Sequence, residues 1–206
     1  MNAIQTHIYL ASQSSRRREL LRQIGVNFEV LLLRSDLSRK MDVDETIRPG
    51  EQPEAYVQRL CHEKLEAGCN ALKLRNLPVF PVLAADTDVA LDGKIFGKPE
   101  NAEQAAVMLR QLSGRDHQVH CAVAIALGDR TEISISTSTV RFTALSEERI
   151  RRYLLTREYT DKAGGYGIQG QASAFIEQIS GSYSGVMGLP LFETVQLLKR
   201  FDYPAP

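Results

Sequence analysis

The sequence predicts a mixed α/β fold, a partly antiparallel sheet with flanking helices. Three observations lead there. Short apolar runs alternate with stretches whose apolar residues recur at helical spacing. Turn signals at Asp92-Gly93 and Gly128-Asp129 each join two strand-like runs into a hairpin, which argues against a purely parallel sheet. A chain of 206 residues, 43% of them hydrophobic, can bury a sizeable core as one domain over 1–206.

Residues 8–11 read as a strand. Ser12, Ser14 and Ser15 then offer capping oxygens, and Leu20, Leu21 and Ile24 recur on one helical face before Gly25 stops the helix. "NFEVLLL" (27–33) reads as a second strand, and the polar stretch 34–52 as a loop. Pro53 suits a first helical turn, and Tyr56, Val57, Leu60, Cys61 and Leu65 form one stripe expected to end near Gly68. "VFPVLAAD" predicts an apolar strand ending at Asp86, followed by the Asp92-Gly93 hairpin. Residues 101–112 make a helix capped by Asn101. "HQVHCAVAIAL" and "TEISISTSTVRF" alternate like an antiparallel pair around Gly128-Asp129, and Ser146 caps a helix carrying Ile150, Tyr153 and Leu154. "DKAGGYGIQG" holds four glycines in ten residues, too many for a regular element and enough for backbone to approach a ligand closely. A strand near 172–179 and a helix over about 191–201 complete the reading.

Composition excludes several function classes. With 25 basic and 25 acidic residues the formal net charge is zero, and there is no Trp, so non-specific nucleic-acid binding is not expected. Three cysteines without a close pair fit neither a disulfide framework nor a zinc module. No apolar run reaches about 18 residues and the N-terminus lacks a signal peptide's pattern, which predicts a cytoplasmic protein with no membrane partner.

The chemistry-bearing residues begin with Arg16, Arg17 and Arg18, placed where a helix starts. Helix N-termini favour anions, so three cations there point to a bound anion that the serine hydroxyls and free amides would share, with phosphate the natural candidate. Asp86 and Asp88 follow a buried-looking strand. If that strand continues, they share one face and Thr87 takes the other. Asp42, Asp44 and Glu45 form a second acidic cluster, and Lys64, Lys98 and Lys162 are candidate phosphate partners. Together these residues suggest a metal-assisted phosphate-ester site. His117 and His120, three apart in an extended strand, face opposite sides and make no metal pair, while Cys121 sits among alternating apolar residues and reads as core.

In order along the chain, "LASQSSRRRELL", "DVDE", "ADT", "GKP", "LSG", "DKAGGYGIQG" and "GLPL" resemble the Maf family of nucleoside triphosphate pyrophosphatases. One departure is Ser15, where the family usually has proline. The resemblance implies an elongated, two-lobed, inosine-triphosphatase-like fold with a central cleft, a divalent cation (Mg, Mn or Co), a possible homodimer, and hydrolysis of a nucleoside triphosphate to monophosphate and pyrophosphate. It makes Asp86 the catalytic carboxylate, a proton acceptor acting directly or through the metal. Ser12, Ser14, Arg16 and Arg17 would bind the triphosphate; Lys64, Lys98 and Lys162 would neutralise further charge; Glu45 and Asp86 would hold the metal. Arg16, Thr87 and Gln169 match the dTTP/UTP subfamily at its discriminating positions, with Thr87 and Gln169 reading the base. The competing reading is a nucleotide-binding regulator of cell division or septum formation without turnover.

Overall fold

The computed structural model describes residues 6–33 and 43–204, so Asp42 of the acidic loop lies outside it. Seven strands form one mixed sheet: β1 (Ile8–Leu10), β2 (Phe28–Val30), β3 (Val82–Leu91), β4 (Lys94–Phe96), β5 (Asp116–Leu127), β6 (Arg130–Phe142) and β7 (Ile176–Ser180). Their order is β2-β1-β3-β5-β6-β7, with β4 hairpinned onto β3. The pairs β1–β2 and β1–β3 are parallel and the rest antiparallel. Helices α1 (Ser15–Gln23), α2 (Pro53–Leu74), α3 (Ala102–Leu112), α4 (Glu147–Leu155), α5 (Tyr183–Met187) and α6 (Leu191–Arg200) complete the fold. None of the described helices is long and apolar enough to cross a membrane.

Local chemistry accounts for most element ends. The Ser14 side chain caps α1, Asn101 caps α3 and Ser146 caps α4, each accepting from an amide of the first turn. Asp92 and Gly93 both take positive φ (52° and 76°), as the β3–β4 turn requires.

Three expectations need correction. The last strand starts at Ile176 rather than near 172, because residues 171–175 form a 3-10 turn, and the short α5 lies between that strand and α6. The second helix does not stop at Gly68 but runs to Leu74. Gly68 marks a close approach: a Cβ there would stand 2.8 Å from Ala11 Cβ and 3.0 Å from Val82 Cγ1, so the missing side chain lets α2 lie against β1 and β3. Lastly, β3 does not end at Asp86; it runs on to Leu91 and carries Asp86, Thr87 and Asp88 through its middle.

That third correction determines where the site lies. One apolar cluster, with Leu10, Leu21, Leu83, Ala85, Val123 and Leu197, packs α1 and α6 on one face of the sheet. A second, with Tyr9, Ala11, Val57, Leu65, Val82 and Ala84, packs α2 on the other. The far half of the sheet has its own core around Val89, Leu91, Leu109, Val140 and Phe142. Thus the two ends of β3 are buried in different cores, and its polar residues occupy the junction. The strand pairs with β1 only through Val82 and Leu83 and with β4 only from Val89, so residues 84–88 have no ladder partner on that edge among the described residues. The sheet is open there, and side chains from both faces reach the gap.

Gly68→Ala should gain about 1 kcal/mol of helix propensity and lose about 1–3 kcal/mol to overpacking against Ala11. The expected net result is a lower urea midpoint; a raised midpoint would contradict the close approach.

Candidate functional site

On the α2 face of the gap, Lys64 projects from the middle of α2 towards β3. Its ammonium donates to Asp86 Oδ1 at 2.5 Å and pairs with Glu45 Oε1 at 2.8 Å, and Glu45 Oε2 pairs with Lys98 Nζ at 2.9 Å. Acid and base therefore alternate in one chain, Asp86–Lys64–Glu45–Lys98, joining β3, α2, the 43–52 loop and the loop after β4. Burial opposes the ionised form of Glu45, but Lys64 and Lys98 overcome it and hold its carboxyl down to about 2. For Lys64 burial likewise opposes charge, and Asp86 and Glu45 more than offset it.

Glu45 sits in a loop and needs outside support. The Tyr56 hydroxyl donates to the Glu45 carbonyl at 3.0 Å, and Arg59 donates to the Thr46 carbonyl at 3.0 Å while pairing with Glu51 at 2.6 Å. Sequence reading missed both roles, since Tyr56 counted only as part of the apolar stripe of α2. The available signal was an Arg near the start of a helix that follows an acidic loop.

On the opposite face, Ser12, at the end of β1, accepts from the Ser14 amide at 3.2 Å and from Arg17 Nη1 at 3.3 Å. Arg17 Nε also donates to the Gly188 carbonyl at 2.7 Å, and its Nη2 to Thr87 Oγ1 at 3.3 Å; Arg16 Nε donates to the Met187 carbonyl at 3.2 Å. Gly188, at φ 124°, closes α5 in a conformation that other residues rarely adopt. Neither arginine is in ion-pair contact with a carboxylate among the described residues. Burial and the neighbouring Arg17 lower the pKa of Arg16, and burial and the neighbouring Arg16 lower that of Lys162. Arg16, Arg17 and Lys162 are thus a half-buried cationic group held mainly by neutral acceptors, an arrangement that attracts an anion. Among the described residues Arg18 makes no side-chain contact of this kind.

Lys162, near the start of the glycine segment, is held by the turn before it: its ammonium donates to the carbonyls of Glu158 and Thr160. Tyr166 anchors that segment in the far core, sharing a 2.7 Å hydrogen bond with His117 and packing edge-on against Phe142. Gly164, at φ 68°, lies against Val89, where a Cβ would come within 3.0 Å of Cγ1. Gln169 is exposed at the end of the same segment.

The structure therefore brings together Asp86, Lys64, Glu45 and Lys98 on one side of the open edge, and Ser12, Arg16, Arg17, Thr87 and Lys162 on the other. Ser14 instead uses its oxygen to cap α1, accepting from the Arg17 amide at 3.4 Å. The alternation expected along β3 holds: Asp86 faces α2, while Thr87 faces α1 and α5. Burial keeps Cys121 protonated, with its thiol pushed up to about 12. Asp88 is 1% exposed, and among the described residues neither carboxyl oxygen is within hydrogen-bond geometry of a partner. Burial first, and Asp86 second, push it up to about 8. Among the described residues no three His, Cys, Asp or Glu side chains are grouped to hold a metal ion.

Comparison with known proteins matches residues 7–201 to the family described as Maf-like protein. The dTTP/UTP pyrophosphatase of Aromatoleum aromaticum is 57% identical over 205 residues, covering 99% of this chain and 100% of that protein. Those of Nitrosomonas europaea (56%, covering 94% and 93%) and Nitrosospira multiformis (55%, covering 97% and 97%) carry the same name. Among solved structures, the Staphylococcus aureus Ham1 protein aligns with 66% of this chain and 71% of its own at 22% identity and a TM-score of 0.45.

Asp88 makes the fold's stability depend on pH in a defined direction. Its folded pKa lies above the usual carboxylate value of about 4, so the folded state keeps a proton that the unfolded chain has released. Its contribution is full below about pH 4 and is lost as pH rises through about 8. Asp88→Asn should flatten thermal stability between pH 5 and 8 relative to wild type; superimposable pH profiles would contradict this.

Proposed function

The chain belongs to the Maf family, and from that premise we propose that it is a nucleoside triphosphate pyrophosphatase. The proposed reaction is hydrolysis of dTTP and UTP between the α and β phosphates, giving the nucleoside monophosphate and pyrophosphate. One observation carries the reading: a cationic group, Arg16, Arg17 and Lys162, none of them in an ion pair with a carboxylate among the described residues, meets an acid–base chain, Asp86–Lys64–Glu45–Lys98, across the unpaired stretch of β3. A triphosphate is long enough, and anionic enough, to engage both.

In this reading Ser12, Arg16 and Arg17 bind the triphosphate. Lys162 adds positive charge where the leaving pyrophosphate gains negative charge, which lowers the barrier more than equal binding of substrate and transition state would. Lys64 occupies Asp86 Oδ1, so Oδ2 takes the proton from the attacking water as oxygen bonds to the α-phosphorus. The departing pyrophosphate oxygen keeps the electron pair of the broken anhydride bond. Lys98 holds Glu45 in place and offsets its charge.

The residues also fit a nucleotide-borne divalent cation. Magnesium in such sites takes one or two protein carboxylates and completes its shell with phosphate oxygens and water. Glu45 and Asp86, both bonded to the Lys64 ammonium, are such a pair. Mg, Mn or Co held there would neutralise charge on the phosphate oxygens. Arg16, Thr87 and Gln169 are the proposed discriminating positions; Gln169 at the exposed tip of the glycine segment can donate to and accept from a pyrimidine edge.

Incubation with a panel of nucleoside triphosphates and Mg, Mn or Co should release monophosphate and pyrophosphate, fastest for dTTP or UTP. Diphosphate with inorganic phosphate would mean that a different bond is cleaved. Asp86→Asn should reduce turnover by about a thousandfold or more with unchanged circular dichroism, and wild-type rates would overturn its role. Arg16→Ala should raise KM, whereas Arg18→Ala should leave the kinetics unchanged. A carboxylate suits a cationic methylated purine better than a neutral pyrimidine, so Gln169→Glu should shift preference from UTP towards 7-methyl-GTP; an unchanged preference would remove Gln169 from base reading.

A further inference from the structure

Thr87 is proposed above as a discriminating position, yet its hydroxyl is already engaged. Oγ1 accepts from Arg17 Nη2 at 3.3 Å, lies 3.5 Å from the Gly188 carbonyl and stands 3.1 Å from Cys121 Sγ. A hydroxyl has one proton to give and two lone pairs with which to accept. The Gly188 carbonyl can only accept, so it takes the Thr87 proton. The two lone pairs are then filled by the arginine N–H and by the cysteine S–H. Cys121 is suited to that last role: it is 0% exposed, remains a protonated thiol, and pairs directly with Thr87 across β3 and β5.

The same carbonyl accepts Arg17 Nε at 2.7 Å, and Ser12 accepts Arg17 Nη1. Each of the three guanidinium nitrogens therefore donates to a neutral acceptor, Nε to Gly188, Nη1 to Ser12 and Nη2 to Thr87, which fixes its plane and leaves its positive charge uncancelled. Planar, preorganised guanidinium donors bind phosphate more strongly than mobile ones, because less freedom is lost on binding.

We infer that Thr87 and Cys121 are positioning residues that hold the Arg17 guanidinium for phosphate, and that Thr87 strengthens triphosphate binding through this arginine instead of reading the base. The inference rests on the reading of this cleft as a triphosphate site, but its central test needs no turnover. Cys121 thereby acquires a role that its place among core residues does not suggest. The thiol sits on the sheet face opposite Asp86, so the acid–base chain is not part of this arrangement.

Calorimetric titration with inorganic pyrophosphate, without metal or nucleoside, isolates the phosphate contact. Thr87→Val should weaken pyrophosphate binding about five- to tenfold, the loss expected for one hydrogen bond of ordinary strength, and Thr87→Ser should restore it. Cys121→Ala should weaken it in the same direction and Cys121→Ser should restore it, with thermal unfolding confirming that each variant is folded. In steady state, Thr87→Val should raise KM for UTP and CTP by the same factor, leaving the ratio of their kcat/KM values unchanged. Unaltered pyrophosphate affinity in Thr87→Val together with a changed UTP-to-CTP ratio would overturn the inference in favour of direct base contact. Wild-type affinity in Cys121→Ala would remove the thiol from the arrangement. Failure of wild type to release monophosphate would instead count against the functional reading, while the pyrophosphate titrations would still decide whether Thr87 and Cys121 hold Arg17.

Discussion

The fold is organised around one constraint: β3 must carry Asp86, Thr87 and Asp88 through the middle of a sheet whose faces are largely apolar. A strand alternates its side chains, so the two acids face α2 and the threonine faces α1 and α5. None of the three could be accommodated in a continuous core without partners. The structure divides the core on either side of them and ends β1 before it reaches them, which leaves one strand edge unpaired over 84–88. Lys64 meets Asp86 and Arg17 meets Thr87; Asp88 alone lacks a hydrogen-bonded side-chain partner. An open strand edge invites aggregation when it is long and apolar; this one is short and bordered by charge.

The same arrangement explains cations at the start of α1. A helix N-terminus repels positive charge, and no acidic residue lies in the first turn of α1. Arg16 and Arg17 turn away from the helix end and bond the carbonyls of Met187 and Gly188, where α5 finishes. Hydrogen bonds to neutral carbonyls orient the guanidiniums without cancelling their charge, whereas a carboxylate in the same place would compete with a phosphate. Across the gap the lysines are paired with acids, so the two sides differ in kind: one is ready to receive an anion, and the other holds ionised carboxylates beside ammonium groups.

Much of this was legible in the sequence because it is local. Serine, asparagine and glycine at helix ends, Asp-Gly in the first hairpin and the alternation of β5 and β6 all act within a few residues of themselves. The errors came where tertiary contacts override local signals. Gly68 reads as a helix stop, but its missing side chain is used by Ala11, which lies 57 positions earlier in the chain. Asp86 reads as a strand end because a carboxylate is out of place in a buried strand, and only the ammonium from α2 makes it acceptable there. At the candidate site, residue types together with the family resemblance pointed to Asp86, Lys64, Glu45 and the arginines, which the structure brings to the two sides of one strand. The Gly188 carbonyl, the Tyr56 and Arg59 supports of the Glu45 loop, and the cross-strand Cys121 could not be read, since backbone acceptors and sheet register leave no mark on composition or spacing.

The account's central claim is that water, deprotonated by Asp86, attacks the phosphorus nearest the nucleoside while the cationic side of the gap holds the departing pyrophosphate. Hydrolysis of UTP in water enriched in oxygen-18, with mass analysis of both products, tests this directly. The account predicts the label in the phosphate of UMP and none in pyrophosphate. Label in pyrophosphate would place the attack on the β-phosphorus and contradict it.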